Sequence, residues 1–173
     1  MTIAPIHPAL AVAPATVADV TTLLPQRDAV VENTAARLLT AGTQPSTLVV
    51  IGLLRHDDGW PTSQRTLAAV TTFLARSLRG DDWLGSTGAA EFAILLAGSE
   101  SAAETAASRL IHAVTASVPD MSAAAGVARL APGAGAAEIL RRATLSLSAA
   151  RHVGGDTVIT YREPVDPPVR SGS

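Results

Sequence analysis

Apolar residues along this chain follow two spacings, one typical of helices and one typical of buried strands. Residues 47–54 form an unbroken apolar run of strand length, which predicts a central strand buried on both faces. Helical spacing predicts helices over residues 28–41, 63–78 and 136–151, and a further helix opening with a capping box of Ser101 and Glu104. Shorter apolar segments predict strands near Trp83 and over residues 92–96, 122–130 and 158–161.

The first helix and the hairpin allow more detailed predictions. The helix is predicted to bury one face and to end before Gly42, which would be its C′ residue. The predicted inward residues are Val31, Ala35, Leu38 and Leu39. The small residues 85–90, between the two short strands, suit a hairpin turn.

The order of these elements is helix, strand, helix, hairpin, helix, strand, helix, strand. This order predicts an α+β domain with a mostly antiparallel sheet flanked by helices, in a ferredoxin-like arrangement. We expect that domain to span residues 17–162. Residues 1–16 lack the positively charged start of a signal peptide and are predicted to be a flexible leader. Residues 163–173, with three prolines and a Ser-Gly-Ser end, are predicted to be a disordered tail.

Composition excludes several classes of protein. The 173 residues include no Cys, which excludes disulfide frameworks, thiol nucleophiles and Cys-ligated metal sites. All 13 basic residues are Arg, so Schiff-base chemistry on lysine is also excluded. A net charge of −2 argues against a nucleic-acid binder. No apolar run approaches the roughly 20 residues of a membrane span, and we expect a cytoplasmic protein.

Common catalytic and metal-binding patterns are weak here. His56, Asp57 and Asp58 form a small polar cluster, but a turn is the usual role of such a run. The other histidines are scattered, and no serine stands in a G-x-S-x-G setting. The residues by themselves therefore assign no catalytic group, metal or cofactor.

Five segments, taken in order over residues 19–161, resemble the GGDEF domain of diguanylate cyclases. Residues 21–27 (TTLLPQR) are similar to its L-T-G-L-P-N-R motif, and residues 48–54 stand where it has a D-x-D strand. Residues 124–128 (AAGVA) resemble its S-I-G-V-A strand, and residues 140–154 resemble its L-x-R-A-D…A-K-x-x-G helix. A degenerate form of the signature turn is formed by Gly88, Ala89, Ala90, Glu91 and Phe92.

The resemblance implies that the catalytic positions are lost. Diguanylate cyclases join two GTP molecules into cyclic di-GMP with divalent cations, which carboxylates hold. The two ligand positions of the family fall on Gly52 and Ala90, which have no side-chain oxygen, and Glu91 is a single remaining carboxylate. The guanine-reading segment after the central strand is shortened, and the lysine of the last helix is Arg151. The resemblance therefore implies no cyclase activity, no bound metal and no cofactor.

The same resemblance implies that a product-binding site is kept. The family places an R-x-x-D motif five residues before the signature, and Arg79 and Asp82 precede Gly88 at that spacing. An A-x-R arginine from the following helix corresponds to Arg109. The guanidinium of Arg79 can donate hydrogen bonds to the O6 and N7 atoms of guanine, and the carboxylate of Asp82 can accept from the N1 and N2 hydrogens of the same base. Arg109 can bind a phosphate or a second guanine.

A structural alternative stands beside this interpretation. An Arg and an Asp three residues apart often form a solvated ion pair worth under about 1 kcal/mol, and Arg109 would then be an ordinary surface residue. Asp81 adds negative charge beside a dianionic ligand, whereas Trp83 offers a ring for stacking.

Three functions are left open by the sequence. The first is a catalytically inactive regulatory domain that binds cyclic di-GMP through Arg79, Asp82 and Arg109. The second is a protein-docking or homodimerisation module that binds no nucleotide. The third, which requires a guanine-reading segment that this chain lacks, is a domain that binds GTP without turning it over.

Overall fold

The computed structural model of the protein describes residues 23–55 and 62–163. The predicted leader, the predicted tail after Glu163 and the cluster of His56, Asp57 and Asp58 lie outside the described residues. Within the described part, a five-stranded sheet has the order β2-β3-β1-β4-β5. Its strands are β1 (Ser46–Arg55), β2 (Trp83–Gly88), β3 (Glu91–Ala97), β4 (Met121–Arg129) and β5 (Val158–Thr160).

In the part of the chain that the structure describes, four helices cover the sheet. They are α1 (Arg27–Leu38), α2 (Gln64–Ser77), α3 (Glu100–Ser117) and α4 (Ala136–Val153). Every neighbouring strand pair is antiparallel except β4 and β5, which run parallel. The predicted α+β class and the mostly antiparallel sheet flanked by helices are confirmed. Among the described residues, no helix has the length and apolar character needed to cross a membrane.

The central strand β1 separates two hydrophobic cores. Val49 and Ile51 pack in a cluster with residues of α2 and α3, whereas Leu48 and Val50 pack with residues of α1 and α4. All four side chains are fully buried. Because helices cover both faces, β1 carries an unbroken apolar run rather than an alternating one, as predicted.

The predicted inward face of α1 is wrong in part. The buried residues are Val30 and Thr34, whereas Leu39 is 88% exposed. Thr34 is buried because its hydroxyl donates to the carbonyl of Val30 at 2.7 Å, which satisfies the polar atom. The prediction for Gly42 is also wrong, because α1 ends at Leu38 with Leu39 as its C-cap.

The start of α3 differs from the predicted capping box. Its N-cap is Ser99, whose hydroxyl accepts a hydrogen bond from the Ala102 N–H at 3.3 Å. Gly98 has a φ of +132°, and this turn after β3 brings Ser99 to the N-cap position before Ser101 is reached. The hairpin turn is also shorter than predicted, because β2 continues to Gly88 and only residues 89 and 90 connect it to β3.

Close packing of α4 on the sheet depends on Gly126 in β4. A Cβ atom there would lie 2.1 Å from the Ala143 carbonyl oxygen and 2.2 Å from the Leu147 nitrogen, both in the backbone of α4. The helix therefore rests directly on the strand backbone. This contact also fixes the position of the C-terminal turn of α4, which carries Arg151.

Candidate ligand-binding cleft

A cleft of about 980 Å³ lies between the C-terminal end of α2 with the turn that follows it, the end of β3 and one side of α3. Arg79, Asp82 and Arg109 all line it. The first two come from the turn after α2 and the third from the middle of α3, so only the folded chain brings them together. Apolar residues such as Phe73 and Leu110 form much of the remaining wall.

Asp82 holds the shape of the turn that presents Arg79. Its Oδ2 accepts from the Arg79 N–H at 2.9 Å, and its Oδ1 accepts from the Ala97 N–H at 3.2 Å. The Asp82 N–H in turn donates to the Arg79 carbonyl at 3.1 Å. The structure describes both side chains and records no ion pair between them. Asp82 is therefore a structural anchor of the turn, and any guanine contact would use the lone pairs that the two backbone donors leave free.

The two arginines have their guanidinium groups available. Arg79 and Arg109 are exposed, and no ion pair or side-chain acceptor is recorded for either within residues 23–55 and 62–163. A freely available guanidinium presents five N–H donors in a planar fork, which fits phosphate or the O6 and N7 edge of guanine. Arg109 also borders a second cleft, of about 730 Å³, between α3 and β5.

Two neighbours singled out from the sequence do not line the cleft. Asp81 is exposed, and its carbonyl accepts a hydrogen bond from Arg37 at the end of α1. Trp83 is partly buried against the core on the α1 and α4 face of the sheet. The suggested stacking role of Trp83 is therefore not available in this conformation.

The five residues predicted to form the signature turn, residues 88–92, lie at the other end of β3. Gly88 is the exposed last residue of β2, and Ala89 precedes Ala90, which has a φ of +58°. Glu91 begins β3, and Phe92 is 1% exposed and packs in the core of α2 and α3. The six residue steps from Glu91 to Ala97 correspond to about 20 Å along an extended strand. The cleft and the turn are thus separate parts of the molecule.

An arginine occupies the space above the central strand beside this turn. The Arg151 Nη1 atom lies 2.7 Å from the Glu91 Oε1 atom, and Glu91 pairs in register with Gly52 across β1 and β3. A Cβ atom on Gly52 would lie 2.2 Å from the Arg151 Nη2 atom. The glycine therefore leaves the room that the guanidinium fills. Across the described residues, no three His, Cys, Asp or Glu side chains come together in a group able to hold a metal ion.

Sequence reasoning did not identify two parts of these sites. His112 lines the cleft one turn after Arg109 on α3, and its i, i+3 spacing from Arg109 was the signal that could have revealed it. The ion pair of Arg151 with Glu91 had no comparable signal, because the two residues lie on different elements and meet only through the packing of α4.

Comparison with known proteins gives matches only at the level of three-dimensional structure. The sequence matches no protein-family model and no curated protein. The coiled coil and GGDEF domain of DgcB from Caulobacter crescentus, in complex with c-di-GMP, superimposes with a TM-score of 0.72 at 20% identity, covering 82% of this chain and 84% of that one. The GGDEF domain of YfiN (TpbB) from Pseudomonas aeruginosa gives a TM-score of 0.73 at 21% identity, covering 83% and 99%.

A third structure carries a protein partner. The diguanylate cyclase SiaD of Pseudomonas aeruginosa, in complex with its activator SiaC, gives a TM-score of 0.68 at 22% identity, covering 84% of this chain and 62% of that one.

These three structures share one fold with this chain. The protein has the GGDEF-domain fold.

Proposed function

We propose that this chain is a catalytically inactive GGDEF-type regulatory domain that binds cyclic di-GMP in the cleft of Arg79, Asp82 and Arg109. The observation that carries the proposal is that these three residues, which the sequence resemblance selects from two distant segments, line one cleft. Its volume of about 980 Å³ is at the upper end of the usual range for small-molecule sites. The DgcB structure that shares the fold is itself a complex with c-di-GMP.

The charge and shape of the cleft favour this ligand. Two arginines, for which no ion pair is found among the described residues, line the cleft with one carboxylate that is engaged by backbone donors, so the three side chains carry a net charge of +1 toward a dianionic dinucleotide. The apolar wall suits the faces of the guanine bases, and the arginine forks suit their O6 and N7 edges or the phosphates.

The lack of cyclase activity is supported by what surrounds the degenerate turn. Catalysis in the family depends on carboxylates at the positions of Gly52 and Ala90, and a side chain on residue 52 would have to displace the guanidinium of Arg151. Glu91, the remaining acid, is already paired with Arg151. Electrostatic stabilisation of a transferred phosphate is a dominant part of such catalysis, so its loss costs many orders of magnitude in rate.

Calorimetric titration of the folded protein with cyclic di-GMP tests the binding proposal. Arg79→Ala and Arg109→Ala should each weaken binding at least about tenfold, because each removes a fork of charged donors. Arg76→Ala is the matched control, since Arg76 is an exposed arginine of α2 that does not line the cleft. Absence of heat at high micromolar ligand would refute the binding proposal. Formation of cyclic di-GMP from GTP and Mg²⁺ would refute the inactivity.

A protein-docking role is the alternative. Leu39, at the end of α1, is 88% exposed, and Val153, at the end of α4, is 72% exposed. Both are single exposed apolar side chains, which are common on protein surfaces, so this role is not favoured over ligand binding. A folded protein that binds no nucleotide but forms a stable homodimer, or a complex with one specific protein, would favour this function. A cytoplasmic location remains a prediction that agrees with either role.

A further inference from the structure

A fourth titratable side chain lines the cleft. His112 lies on α3, one helical turn after Arg109, and is exposed. Its Nδ1 atom lies 2.9 Å from the carbonyl oxygen of Ser108. The titratable residues lining the cleft are therefore Arg79, Asp82, Arg109 and His112. Glu104 and Asp156 line the neighbouring cleft that Arg109 also borders, and the Asp156 Oδ1 atom accepts from Thr115, one turn after His112, at 2.8 Å.

The contact with Ser108 determines which ring nitrogen is left for a ligand. A carbonyl oxygen can only accept a hydrogen bond, so the Nδ1 atom of His112 carries the proton. In the neutral imidazole the Nε2 atom is then an acceptor, and in the imidazolium it becomes a charged donor. The same contact limits rotation of the ring, which reduces the entropy lost when a ligand is bound.

Charge in the cleft depends on this imidazole. With a neutral His112, two arginines and one aspartate give the lining a net charge of +1. With a protonated His112 the net charge is +2, which balances a dianionic dinucleotide and adds a donor for a phosphate oxygen. Imidazole is the side chain whose charge usually changes between about pH 5 and 8.

We propose that His112 is a proton-dependent contact to a phosphate group of the ligand, so that the cleft binds a dianionic dinucleotide more tightly as the pH falls. This inference rests on the proposed function. The direction of the pH dependence follows from thermodynamic linkage. A ligand that binds the imidazolium form of His112 in preference to the neutral form is bound more tightly at a pH where the imidazolium is populated. Binding of such a ligand near neutral pH is therefore accompanied by the uptake of a proton. We expect affinity for cyclic di-GMP to rise about tenfold between about pH 8 and about pH 5.5.

Calorimetric titration with cyclic di-GMP across that pH range, repeated in buffers of different ionisation enthalpy, tests the inference. His112→Gln should lose both the pH dependence and the proton uptake of binding. His152→Gln is a closely matched control, because the Nδ1 atom of His152 makes the same contact, 2.7 Å from the Ser148 carbonyl, on a surface outside the cleft. It should behave like the wild type.

The possible results separate this inference from the proposed function. Binding with the same pH dependence and proton uptake in the wild type and in His112→Gln would overturn the role of His112 alone. Binding by the wild type that does not vary with pH would also overturn the role of His112 while leaving the proposed function in place. No binding at any pH in protein shown to be folded by circular dichroism would overturn the proposed function and this inference together.

Discussion

Replacement of Gly52 by alanine places a methyl group against the guanidinium of Arg151. The new Cβ atom would lie 2.2 Å from the Arg151 Nη2 atom and 2.7 Å from its Cζ atom, which is closer than any real contact. Strand β1 cannot yield, because Gly52 is paired on one side with Glu91 and on the other with Ala124. The flexible tip of Arg151 moves instead, and the cost is the ion pair with Glu91.

The size of that cost follows from the burial of the pair. The side chains of Arg151 and Glu91 are 32% and 22% exposed, and their closest atoms are 2.7 Å apart. Exposed ion pairs contribute about 0.2–1 kcal/mol, and buried hydrogen bonds to charged groups about 1.5–3 kcal/mol. An intermediate value of about 1–2 kcal/mol is expected for Gly52→Ala and for Arg151→Ala.

The double variant distinguishes this explanation from a general effect of either change. Because both substitutions remove the same ion pair, their costs should not add, and the coupling should be about 1–2 kcal/mol. In the Arg151→Ala background, Gly52→Ala should be neutral or stabilising by about 0.5 kcal/mol, since glycine within a strand weakens it.

Equilibrium unfolding in urea measures the free energy of unfolding of the four proteins. Gly42→Ala is the control, because a Cβ atom there meets nothing within 4 Å. Additive costs of the two single variants would refute the reasoning, since they would show that the guanidinium does not occupy the space above Gly52. Costs that do not add would support the view that the guanidinium of Arg151 fills the space above Gly52.

Three further predictions concern stability. Gly126→Ala should lower the free energy of unfolding by about 3 kcal/mol, because the new methyl group would meet the backbone of α4 rather than a flexible side chain. Unfolding in urea measures this change, and a cost near zero would contradict the close packing of α4 on β4. Ser99→Ala should lower the free energy of unfolding by about 1 kcal/mol because it removes the N-cap of α3, whereas Ser101→Ala should change it little. Thermal unfolding of both variants measures this, and a larger cost for Ser101→Ala would instead support the capping box predicted from the sequence. The pKa of Glu138 is lowered from 4.5 to about 2, first by a hydrogen bond from Arg141, so its contribution to stability is present above about pH 4.5 and lost as the pH falls toward 2. Glu138→Gln should therefore lose less stability than the wild type across that interval, and equal losses in acid unfolding curves would be evidence against this ion pair.

Much of the architecture could be predicted because it depends on local sequence patterns. The unbroken apolar run of β1 predicted a strand covered on both faces, and the helical spacing over residues 136–151 predicted α4. The errors came where a local rule ignored neighbouring structure. The capping box of Ser101 was a valid pattern, but the turn at Gly98 brought Ser99 to the N-cap first.

The burial of Thr34 shows a different limit of sequence patterns. A threonine counts as polar in a periodicity argument, yet this one is fully buried because its hydroxyl is satisfied by the helix backbone at Val30. The predicted inward face of α1 was therefore rotated toward Ala35 and Leu39. The position of α1 against both the sheet and α4 decides which side of the helix is covered.

The candidate site also combines features that the sequence determines with features that depend on the tertiary structure. The sequence by itself determined the strand and helix pattern, the R-x-x-D spacing of Arg79 and Asp82, and the absence of a side-chain carboxylate at residue 52. The tertiary structure alone decided that Arg109 shares a cleft with Arg79, that the Asp82 carboxylate is held by backbone donors, and that Arg151 fills the space above Gly52. The reason is physical: periodicity and spacing express the geometry of neighbouring residues, whereas contacts between distant elements depend on how the helices pack on the sheet.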